Sequence, residues 1–143
     1  MQTDTTTRYG TISRYLHWAM AACYFVMFAT SLAWNVNENL RYLIRVHKAV
    51  GILLLFFALL RFLWALSHFR RRPAAGALVK VGHLALYALM FAVPASGMAR
   101  QAQAAFGNAH GALAFLFFIL IAGHIAIAFI HQFRGEKMLQ RIV

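Results

Sequence analysis

The sequence predicts an all-α integral membrane protein, a single bundle of four transmembrane helices. Of its 143 residues, 62% are hydrophobic and only 12% charged, more apolar than a soluble core of this length would bury. Four apolar runs follow one another, each reaching the ~20 residues that a bilayer crossing requires. The Lys and Arg residues collect mostly between and beyond these runs, as they do in a multi-pass chain.

The first run predicts a helix over 14–34, with Ser13 as its N-cap and a polar, disordered segment over 1–7 before it. Ser31-Leu32-Ala33 could pass for a signal-peptide cleavage site. The run is too long and aromatic for that, and three similar ones follow, so it reads as a retained span. A polar connection over 35–45 leads to a second helix over 46–68. The basic cluster Arg70-Arg71-Arg72 and the helix breaker Pro73 stop it. A third helix covers 78–98, with a kink expected at Pro94, which lacks an amide and displaces the carbonyl of the preceding turn. The connection over 100–108 is short enough to force the fourth helix, 109–133, antiparallel to the third. The whole chain, 1–143, is one domain.

Charge sets the expected orientation. Arg8, Arg14, Arg70, Arg71, Arg72, Lys80, Arg134, Lys137 and Arg141 fall on the side of the termini, against Arg41, Arg45, Lys48 and Arg100 on the other. Both termini are therefore expected in the cytoplasm. The net charge of +11 is explained by topology and contact with anionic membrane lipid rather than by nucleic acid. A lone cysteine, Cys23, excludes an internal disulfide and any multi-cysteine metal site.

The fourth run carries His110, His124 and His131 among Ala, Leu, Ile and Phe. Over the fourteen positions from His110 to His124 a helix returns to within ~40° of the same face and advances ~21 Å, so the two imidazoles share a stripe at opposite depths. A histidine in hydrocarbon is costly unless it has a partner or holds a group, although a single one often just bonds a neighbouring helix. Here the other helices supply matching histidines. His17 enters from the terminal side, near the depth of His124, and His47 starts the second helix near the depth of His110. Two levels with imidazoles from facing helices are the geometry of two haems in a bundle, each iron ligated from both sides. Such ligation leaves no open position and favours electron transfer. Zinc is disfavoured because the acids, Asp4, Glu38 and Glu136, all lie outside the spans.

His83, about one turn into the third helix, competes with His17 for the inner iron, or else bonds a propionate, a quinone or a neighbouring helix. His68 and His131 lie at the cytoplasmic boundary and read as solvated interfacial residues. Arg61, fourteen residues after His47, falls at the inner level, either paired with propionates of the inner haem or snorkelling to the surface. Arg14 is a weaker candidate for the propionate role. Gly51, Gly82, Gly111 and Gly123 would admit a macrocycle or simply a close helix.

The run Arg8-Tyr9-Gly10-Thr11-Ile12-Ser13-Arg14-Tyr15-Leu16-His17-Trp18 resembles the opening signature of the prokaryotic cytochrome b561 family. So do His47-Lys48-Ala49-Val50-Gly51, Gly82-His83-Leu84-Ala85-Leu86-Tyr87 with Pro94 and Gly97 downstream, and the spacing of His110, His124 and His131. The resemblance implies a four-helix di-haem b cytochrome of the bacterial inner membrane. Such a protein passes electrons between the quinone pool and a periplasmic redox protein or small oxidant or reductant. Carried over by motif, His17 and His124 would ligate the iron of the cytoplasmic haem b, and His47 and His110 that of the periplasmic one. One branch is similar to a superoxide oxidase, which passes electrons from superoxide to ubiquinone. The alternative is a haem-bearing membrane anchor subunit that relays electrons for a larger respiratory enzyme. The chain departs from the family in its very short link between the third and fourth helices and its short C-terminal tail.

Overall fold

Each apolar run becomes one helix in the computed structural model of the chain, which describes residues 9–68, 77–135, 140 and 142. Helix α1 spans Thr11–Val36, α2 Leu43–Ser67, α3 Ala77–Gln101 and α4 His110–Phe133, with 3₁₀ turns at Glu38–Leu40 and Ala105–Ala109. No strand occurs among the described residues, and all four helices are long and apolar enough to cross a membrane. Without water to satisfy free backbone groups, a span in lipid must be helical throughout. Phe25, Leu84 and Phe115, 76%, 70% and 66% exposed, are among the apolar side chains left on the outer faces, where lipid covers them. The predicted segments over 1–8 and 69–76, and Lys137 and Arg141, lie outside the described residues.

Ser13 is not the N-cap. Helix α1 begins at Thr11 after Gly10, whose extended backbone ends the preceding chain without a side-chain cap. Ser13 is instead buried inside the first turns. Its Oγ accepts from Trp64 Nε1 of α2 at 3.1 Å, and its carbonyl oxygen accepts from Arg61 Nη1 at 3.2 Å. The hydroxyl looks outward to a neighbouring helix, which a local capping rule cannot foresee. Helix α3 runs on through Pro94 to Gln101, and α2 starts three residues before the expected 46.

The helices form two antiparallel hairpins, α1 with α2 and α3 with α4, which touch one another less extensively than their own members do. The core is a small plug at mid-height: Met20 and Cys23 of α1, Leu54 and Ala58 of α2, Met90 of α3 and Phe117 of α4. Tyr24 and Phe117 meet edge to face across the hairpins at 5.1 Å. Seven residues turn a helix to within ~20° of two full turns. Tyr24 follows His17 by seven, Leu54 follows His47, Met90 follows His83, and Phe117 lies midway between His110 and His124. Residues packed in or against the plug thus share a stripe with each of these histidines, and the plug separates the two histidine levels.

The link between α3 and α4 depends on one glycine. A Cβ on Gly107 would run into the backbone of Arg100 and approach its Cβ to 2.8 Å. Gly107→Ala is therefore expected to cost about 3 kcal/mol through overpacking that the backbone cannot relieve. Thermal unfolding in detergent would measure it, and an unchanged midpoint would contradict this account of the turn.

Candidate functional site

At the far end of the bundle, where α2 and α4 begin, His47 and His110 face each other with ring centres 6.5 Å apart and planes at 89°. Each is held in the same manner by the helix beside it. The Nδ1 of His47 lies 3.1 Å from the Met27 carbonyl oxygen and 3.2 Å from Thr30 Oγ1, both on α1. The Nδ1 of His110 lies 3.1 Å from the Val93 carbonyl oxygen and 3.0 Å from Ser96 Oγ, both on α3. Trp34 closes one side of His47, edge to face at 5.0 Å. Gly97 makes room for His110, since a Cβ there would come within 3.1 Å of the imidazole Cε1. Arg41, Arg45, Lys48 and Arg100 are exposed at this end, with Arg41 paired to Glu38 at 3.2 Å.

At the near end, where α1 begins and α4 ends, three histidines gather. His83 and His124 meet edge to face with ring centres 5.3 Å apart. His17, from the opposite hairpin, lies within electrostatic range of both and of Arg61. Arg61 reaches the Ser13 carbonyl oxygen rather than the end of its own helix. Arg14 is half-exposed three residues before His17, and among the described residues its guanidinium makes no bond to this cluster. His68 stacks on Trp64 at 4.0 Å, near the boundary, and His131 is half-exposed. Beside Gly82, Gly111 and Gly123 an added Cβ would meet no atom within 4 Å, whereas at Gly51 it would come within 3.2 Å of Met27 Cε.

These residues can be tested against the group that the paired imidazoles imply. A metal-bound imidazole nitrogen sits ~2 Å from its ion, so two imidazoles on opposite faces of one iron have ring centres roughly 6 Å apart. The 6.5 Å between His47 and His110 fits that span. Among the described residues no three His, Cys, Asp or Glu side chains converge as a bare ion would need, while two imidazoles at a level are what a haem iron takes. The Tyr24 and Tyr87 hydroxyls, on the histidine-bearing helices α1 and α3, are buried with no partner among the described residues. Orphaned donors of that kind fit a polar group bound beside them. The site and a haem are compatible.

Over residues 8–143 the sequence matches the prokaryotic cytochrome b561 family. The chain belongs to that family. Its four helices, each long and apolar enough to cross a membrane, fit a multi-pass membrane protein of that family. It is 37% identical over 110 residues to cytochrome b561 homolog 2 of Escherichia coli (strain K12), an alignment covering 66% of this chain and 56% of that protein. This b561 chain thus spans little more than half the length of that relative. No solved structure matches it significantly.

Sequence reasoning missed Thr30 and Ser96 at this site, and the tie from Ser13 to Arg61 and Trp64. Each hydroxyl is a polar residue in an apolar run, and that is the signal that could have found it. The helix that it serves was not legible.

Proposed function

We propose that the chain is a di-haem b cytochrome that conducts electrons across the bacterial inner membrane, with His47 and His110 ligating the far haem and His17 and His124 the near one. The observation that carries this reading is the His47–His110 pair, drawn from opposite hairpins and separated by the span of one iron. His17 and His124 likewise come from opposite hairpins, whereas His83 shares its hairpin with His124. That favours His17 as the ligand and leaves His83 as the neighbour that packs on His124. Arg61, at the same level, would meet a propionate.

Bound haem supplies a reversible one-electron couple; the protein supplies ligation, spacing and a dry interior. The Met20, Cys23, Leu54, Ala58, Met90 and Phe117 plug excludes water between the two levels. By the charge rule the near end is cytoplasmic. The exposed cations Arg45, Lys48 and Arg100 at the far end would then draw a small anion such as superoxide, or dock an acidic periplasmic redox protein. The quinone pool is the counterpart within the membrane, with ubiquinone the expected substrate.

An optical redox titration of the detergent-purified protein tests the core of this proposal. It should show Soret absorption and two one-electron transitions of equal amplitude; a single transition would reject the two-haem arrangement. Stopped-flow decay of superoxide with ubiquinone present tests the substrate, and decay unchanged by the protein would exclude it. Stable copurification with a soluble enzyme, and poor turnover alone, would instead identify an anchor subunit.

A further inference from the structure

The far pair of histidines is held by hydroxyls that fix which ring nitrogen carries the proton. Thr30 Oγ1 lies 2.7 Å from the Val26 carbonyl oxygen of its own helix, and Ser96 Oγ lies 2.7 Å from that of Val93. Each hydroxyl has one proton, and these contacts engage it. Towards the histidine each hydroxyl oxygen can then only accept, as can the Met27 and Val93 carbonyl oxygens. The proton must therefore sit on Nδ1 in both His47 and His110, which leaves each Nε2 as a bare lone pair. Thr30 and Ser96 are buried, 7% and 0% exposed, so water does not compete for these bonds. The two arrangements match in detail: a carbonyl oxygen at one position and a hydroxyl three residues later, on α1 for one ring and on α3 for the other.

We infer that Thr30 and Ser96 are positioning residues of the far haem, fixing the Nδ1–H form of both ligands and holding its reduction potential down. The inference rests on the haem reading above. Two acceptors drawing on each Nδ1–H make the imidazole more basic. A more basic ligand favours the ferric over the ferrous iron. Removing an acceptor therefore moves the potential of the far haem upward and leaves that of the near haem alone.

The experiment is potentiometric titration of the purified holoprotein carrying Thr30→Val, Ser96→Ala or both, with Thr30→Ser as the conservative control. The two transitions are assigned from His47→Ala, which retains only the near haem. The expected result is a shift of the reduction equilibrium of the far haem by about threefold in each single variant. In the double variant it is about tenfold, ~59 mV for a one-electron couple. The near haem should stay at its wild-type value, and Thr30→Ser should restore the far one. If Thr30→Val does not assemble, Ser96→Ala decides alone, since it removes a single oxygen. Potentials that stay put, that move together, or that Thr30→Ser fails to restore would overturn the inference while the haem reading stands. A wild-type protein without Soret absorption would overturn both.

Discussion

His47→Ala is expected to remove one haem per chain and leave the other with unaltered spectrum and potential, and His110→Ala is expected to do the same. Each substitution would delete half of the proposed ligand pair, whose rings stand 6.5 Å apart on facing hairpins. Loss of partners that only orient a ligand costs about 10–100-fold in metal affinity, so loss of the ligand itself costs more. A near haem would be insulated from the change, because the plug around Leu54 and Phe117 lies between the two histidine levels. Pyridine haemochrome assay against protein concentration would measure the loss. Full haem content in either variant would refute the assignment of that level.

His124→Ala is the complementary experiment, and the larger test of the near end. His83 and His17 both lie near His124, so every pairing there that takes one ligand from α4 includes it. The near haem should be lost and the far one kept. The two candidates for the second ligand then separate: His17→Ala should lose the near haem, and His83→Ala should retain it with at most a shifted band. The reverse result would exchange their roles. It would put both near ligands on one hairpin, in contrast to the far pair.

The architecture was readable because the bilayer makes a coarse demand that composition answers directly: four apolar runs gave four helices. That His47 and His110 share one end, and His17, His83 and His124 the other, was also readable, since helical rise is fixed and each run has a clear start. What was not readable is rotation and register between helices. His17 and His83 enter their spans at similar depth, and nothing in either run says which ring stands opposite His124. Thr30 would look unremarkable to any local rule, because its hydroxyl bonds the carbonyl of Val26 on its own helix, as such residues commonly do in apolar helices. Only the packing of α1 on α2 puts the same oxygen against His47. Arg61 was left between a propionate and the surface, and its bond to the Ser13 carbonyl depends on a helix start that the sequence placed three residues late.

The division into two hairpins has a bearing on biogenesis. Each hairpin can enter the bilayer as a separate unit, with its own backbone satisfied and its lipid-facing side chains already placed. The proposed far ligand set draws one imidazole from each unit, so neither half would retain that haem alone. On that proposal, porphyrin capture would be the late, committing step of assembly, the rivet that joins two independently inserted pieces. Halves expressed as 1–72 and 73–143 should accordingly reunite when haem is supplied and drift apart when its synthesis is blocked.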